Sequence, residues 1–166
     1  MLKKILCAAG VVLLMAFSGT QAAECDAACV ARIKADAERG ITSAQGALAE
    51  CYANGICEGI PQDHPTACQW YEKAAAQGNA EAQFNLGLMY HEGQGVRQDY
   101  AKARKWYEKA AAQGDAQAQN NLGFMYAHGH GVRQNVQTAK EWFSKSCDNG
   151  DQKGCDNYRI LNERGF

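Results

Sequence analysis

The sequence has no apolar run long enough to cross a membrane as a helix. Such a helix needs about 20 apolar residues, and the longest run, Ile5–Phe17, has 13. It has no block of basic residues, which argues against nucleic acid as a partner and against an anionic membrane surface. Beyond residue 22 it has few serines: Ser43, Ser144 and Ser146. None opens an S-x-x-K and no G-x-S-x-G occurs, so the motifs of serine nucleophiles are missing. H-E-x-x-H and C-x-x-C are also absent, so the common signatures of zinc sites are missing. No cofactor and no metal is therefore expected.

What is present begins with an address. Lys3 and Lys4 precede the apolar run, and the small residues of SGTQAA (18–23) follow it. Basic start, apolar centre and small-residue cleavage site make a secretory signal peptide over 1–22, cut after Ala22 or Ala23. The expected destination is the periplasm or the outside of the cell, with no membrane insertion of the mature chain. Losing Lys3 and Lys4 takes the net charge from −1 to −3. Seven cysteines follow: Cys25, Cys29, Cys51, Cys57, Cys68, Cys147 and Cys155. In an exported chain they read as disulfides, and an odd number leaves at least one outside an intramolecular pair.

The body of the chain is a repeat. Trp70, Trp106 and Trp142 stand 36 residues apart, and so do Lys73, Lys109 and Lys145, and Gly78, Gly114 and Gly150. Periods of this length mark stacked supersecondary units. Three units are expected, at 44–80, 81–116 and 117–152, the first carrying two extra residues. A capping helix is expected at each end, over 23–43 and 153–166. Within a unit, Ala82, Leu86 and Tyr90 form one helical stripe, and Ala103, Trp106, Tyr107 and Ala110 form another. Asp99 and Asp115 are placed to cap helix starts, and Gly114 to end a helix in the left-handed region. The fold class expected is all-α, a right-handed superhelical solenoid of stacked antiparallel helix pairs. One unit cannot bury its own stripe, whereas stacked neighbours can.

The pattern A-x-x-x-L-G-x-M-Y-x-x-G-x-G-V-x-x-D/N-x-x-x-A-x-x-W-Y/F-x-K, at 82–109 and again at 118–145, resembles the Sel-one-like repeat, a relative of the tetratricopeptide repeat. The first copy departs from it, with Ala49 for the Gly and Cys51 for the Met. The C-x7-C spacing of Cys147 and Cys155 resembles that of the Helicobacter cysteine-rich proteins, secreted members with a bridge in each unit. That resemblance implies β-lactam binding or weak β-lactamase activity as an alternative function.

The remaining readings concern sites. Cys147, near the end of one helix, and Cys155, in the first turn of the next, are within disulfide reach across a short turn. Cys51 and Cys68 sit at similar heights on antiparallel helices, so that pair is preferred, with Cys25 or Cys29 bridged to Cys57; five cysteines allow 15 pairings. AHGHGV (127–132) brings His128 and His130 near His91, a conceivable surface metal site that reads first as solvated loop histidines. Arg97 and Arg133 share a loop position suited to a carboxylate, but read first as solvated charges. The tryptophans read as core. In helical repeats the first helix of each unit lines the concave side, which leaves Gln83, Asn85, Met89, Gln119, Asn121 and Met125 as the expected binding surface. The function expected is a non-catalytic, disulfide-stapled scaffold for a protein or peptide partner, or a cell-wall fragment.

Overall fold

Between Asp26 and Gly165 the chain alternates helices of 12 or 13 residues with short connections. The computed structural model describes residues 4–8, 11–15 and 26–165. They fall in two units, Met1–Asn79 and Ala80–Phe166. The expected cleavage positions, Ala22 and Ala23, and Cys25 lie outside the described residues.

In the first unit two short strands, β1 (Lys4–Ala8) and β2 (Val11–Met15), pair antiparallel. They lie in the expected leader and outside the repeats. Three helices follow: α1 (Ala27–Glu38), α2 (Thr42–Asn54) and α3 (His64–Ala76). Asp26 caps α1 by accepting from the Cys29 amide at 2.8 Å. Asp63 caps α3 through the Thr66 amide and hydroxyl, and Pro65 stands in the first turn, where its missing N–H costs nothing. Val30, Ile33, Ala37, Ala44, Ala47, Leu48, Cys51, Cys57 and Ile60 form one buried cluster.

The second unit holds α4 (Ala80–Glu92), α5 (Tyr100–Ala112), α6 (Ala116–His128), α7 (Val136–Asp148) and α8 (Gln152–Glu163), each packed on the next. Asp99 and Asp115 accept from the amides of Lys102 and Ala118, as their positions predict. Gly114 follows the Gln113 cap at φ 88°, the left-handed region that glycine adopts at little cost. Leu86, Tyr107 and Leu122 are fully buried and Phe143 almost so; each contributes about 1.5–3 kcal/mol of burial. The repeated Gly of the L-G pair has a steric reason. A Cβ on Gly87 would lie 2.6 Å from the Tyr107 ring, and one on Gly123 would lie 2.5 Å from the Phe143 ring.

The disulfides divide the cysteine expectations. Cys147 and Cys155 are bonded, with Cα atoms 4.5 Å apart, joining α7 to α8. Cys51, however, is bonded to Cys57, not to Cys68, with Cα atoms 5.3 Å apart. Cys57, in the connection with the two inserted residues, competes with Cys68 for Cys51 and takes it. That connection turns at Gly55 (φ 62°) and brings the inserted residues back under the last turn of α2. With Cys57 taken, a Cys57 bridge to Cys25 or Cys29 is excluded as well. Cys29 and Cys68 are buried.

Candidate functional site

Four of the six side chains expected to form the binding surface are interior. Met89 and Met125 are 4% and 1% exposed and belong to the core. Gln83 and Gln119 are also buried, and their amides tie helices together. Gln119 donates to the Ala111 carbonyl of α5 at 3.1 Å and accepts from the Asn149 amide, just past α7, at 2.9 Å. One side chain thus joins three helices. Gln83 accepts from Gln113 at 2.8 Å. In the first unit Gln45 does the same, donating to the Ala37 carbonyl and accepting from Gln77. The position is structural in every repeat, because a buried amide must satisfy both its ends. Asn85 and Asn121, also one repeat apart, remain half-exposed.

A line of aromatic rings runs through the second unit, and Asn121 meets it at Tyr107. Phe84 meets Tyr107 (6.1 Å between centroids) and Tyr107 meets His91 (6.3 Å). His91 meets both Tyr100 (5.2 Å) and His130 (6.0 Å). Tyr100 and His130 stack at 4.9 Å, and His130 meets His128 at 5.7 Å. His128 stacks on Phe124, which meets Phe143 edge-on. His128 Nδ1 is fixed against the Phe124 carbonyl at 3.0 Å. Phe124 is 41% exposed, and His128 and His130 are exposed beside it. The loop histidines and His91 therefore do come together, as packed rings. Among the described residues no three His, Cys, Asp or Glu side chains form a metal-holding group.

Burial sets the charges here. It holds the His91 imidazole below the usual histidine range, the positive field of His130 pushes the same way, and Glu92 opposes both. Tyr107 is pushed well above the ordinary phenol, mainly by burial, while the Asn121 amide pulls it back. Its hydroxyl is buried without a hydrogen bond of normal geometry. Two members of the line, Tyr100 and Phe124, had no signal in the repeat pattern. Tyr100 aligns with His64 and Val136, and Phe124 with Glu50 and Leu88.

Arg97 and Arg133 are exposed on their loops. The tryptophans are half-buried and not fully interior, although Trp70 packs against the buried cluster of the first unit; Trp106 and Trp142 hold the same place in their repeats. Each carries a lysine ammonium over its ring, Lys73 at 3.8 Å, Lys109 at 4.0 Å and Lys145 at 4.4 Å. Of the stripe Ala103, Trp106, Tyr107 and Ala110, all but Trp106 are fully buried, and Tyr107 takes the interior place beside it. The indole is left at the helix flank.

The profile of the family described as Sel1 repeat matches residues 42–79, 80–115 and 116–151. Among solved structures, a protective antigen of uropathogenic Escherichia coli strains with an SLR fold is 40% identical, with a TM-score of 0.80. The match covers 83% of this chain and 29% of that one. Cysteine rich protein B of Helicobacter pylori is 25% identical with a TM-score of 0.59, over 76% of this chain and 95% of that one. A chitin synthase regulatory factor 4 of Schizosaccharomyces pombe is 45% identical over 56 residues, 34% of this chain and 9% of that protein. The chain thus spans less than a third of the antigen and under a tenth of the yeast factor.

Proposed function

Given that the chain belongs to the Sel1 repeat family, we propose that it is an exported, non-catalytic scaffold that holds a protein or peptide partner. Export to the periplasm or beyond accounts for the N-terminal signal pattern and for two disulfides in so short a chain. The observation that carries the binding role is the contrast along the first helices of the second unit. There, glutamines and methionines are buried, while Asn85 and Asn121 stay half-exposed, one repeat apart. An amide offers both a donor and an acceptor, which matches the backbone of an extended peptide.

The test uses oxidised protein on beads against envelope extracts, beside an Asn85→Asp/Asn121→Asp variant that keeps shape and removes the donors. A partner enriched by the wild type and lost by the variant is expected. Equal recovery overturns the assigned surface. Nitrocefin turnover above buffer by the purified protein would overturn the non-catalytic reading and favour the hydrolase that the cysteine-rich resemblance implies.

A further inference from the structure

The middle repeat differs from its neighbours on the exposed flank of its second helix. There α5 carries Lys102, Lys105 and Lys109 at i, i+3 and i+7, with Trp106 among them. At an α-helical rise the three ammonium groups span about 10 Å along the axis. The matching positions in α3 are Thr66, Gln69 and Lys73, and in α7 they are Thr138, Glu141 and Lys145. Two of the three charges are thus peculiar to α5, while the tryptophan recurs. A shallow groove of about 460 Å³ lies here, lined by Lys102, Lys105, Trp106, Glu108, Lys109 and Ala112.

The charge of this groove is uncompensated. Glu108, its one carboxylate, is held by Arg104 at 2.6 Å. Among the described residues no carboxylate pairs with Lys102, Lys105 or Lys109. Lys109 rests on the indole, and Lys102 leans over the Tyr90 ring at 5.0 Å. Such contacts are weak at exposed sites and yield to an anion. We propose that this face of α5 binds a carboxylated saccharide, with a sugar ring stacked on Trp106 and the carboxylates held by Lys102, Lys105 and Lys109.

A saccharide suits the groove better than an acidic peptide. The groove is one face of a continuous helix, whose backbone amides are already bonded within it. A peptide main chain would find no partner for its own N–H and C=O groups there. A pyranose ring offers a flat apolar face to the half-buried indole and carries its charge at the rim. This site lies on α5, apart from the Asn85 and Asn121 surface, and it stands or falls independently of the proposed protein partner.

The test is calorimetric titration of the oxidised full chain with an oligogalacturonate. The controls are a neutral dextran oligosaccharide and a polyglutamate of matched charge. Lys102→Thr/Lys105→Gln puts the residues of the first repeat into α5, so the fold has a precedent for them. It is expected to weaken oligogalacturonate binding about tenfold. Trp106→Leu keeps apolar bulk and is expected to weaken it at least as much, with an unchanged helical spectrum. Binding of the dextran as tight as that of the oligogalacturonate overturns the role of the lysines. Polyglutamate binding that survives Trp106→Leu and equals oligogalacturonate binding overturns the saccharide in favour of an acidic peptide. No oligogalacturonate binding overturns the proposal outright.

Discussion

Replacing Gly87 with alanine isolates one close helix approach in the second unit. Two effects oppose each other. In a helix interior, alanine is favoured over glycine by about 1 kcal/mol. Against this, the new Cβ would meet two Tyr107 ring carbons at 2.6 Å, far inside van der Waals contact. Tyr107 is 0% exposed, so its ring has no open side to retreat to. Overpacking of this kind costs about 1–3 kcal/mol. The first repeat bounds the answer, since it carries Ala49 at the same position beside a buried Tyr71. A Cβ there is tolerable once the surroundings are built for it, so the expected cost lies in the lower half of that range. Gly87→Ala should therefore leave stability unchanged or lower it by up to about 1 kcal/mol. The control is Gly46→Ala in α2, whose added Cβ has nothing within 4 Å. That change should stabilise by about 0.5–1 kcal/mol. Urea unfolding followed by circular dichroism measures both. If the two variants gain the same stability, the close approach of α4 to Tyr107 is absent and the reasoning fails.

Other expectations follow from the same contacts. Cys147→Ser/Cys155→Ser should lower stability by about 2.5 kcal/mol, the loop entropy for a separation of 8 residues; digestion without reduction should release Cys147 joined to Cys155 and Cys51 joined to Cys57, and alkylation of these thiols in native protein would refute the pairing. Gln119→Ala should lower stability by about 1–3 kcal/mol, because it strands the Ala111 carbonyl in a buried site; a neutral result in urea unfolding would show that water replaces the amide. His91 is held below its ordinary value of 6.5, so its share of stability is full above that pH and is lost as pH falls through its folded value. His91→Asn should flatten that acid limb in unfolding curves taken from pH 7.5 to 4.5. In His130→Gln, an NMR titration should find the His91 value raised and still below 6.5, since burial, the larger cause, remains and Tyr100, Tyr107 and Glu92 still surround the ring.

The sequence exposes some of this structure because of how a repeat is built. Trp, Lys and Gly at a 36-residue spacing mark the helix pairs, and Asp99, Asp115 and Gly114 mark their ends, since caps depend on local geometry that a few neighbouring residues set. Gln83 and Gln119 were misread for a physical reason. An amide on a helix flank reads as solvent-facing unless the carbonyl of the preceding helix is known to lie beside it. Cys51 was misassigned similarly: helix heights are legible from periodicity, whereas the path of a loop with two inserted residues is not. The line of rings from Phe84 to Phe143 joins residues on α4, α5, α6, α7 and a loop, and no spacing rule relates them.

A repeat also separates what holds the fold from what distinguishes one unit. Positions alike in all copies, such as Gln45, Gln83 and Gln119, or Leu48, Leu86 and Leu122, are buried and do the same work in each. Function that is particular to this chain has to sit where the copies differ. Among those departures are a disulfide in the first copy and one after the last, lysines at 102 and 105, histidines at 128 and 130, Tyr100 and Phe124. Cys51, Cys57, Cys147 and Cys155 are consumed by cross-links. The lysines and the rings are half-buried or exposed, with no structural task that the sister repeats need done. Residues that neither the core nor the caps require are the ones through which a partner would recognise this protein and not another built on the same repeat.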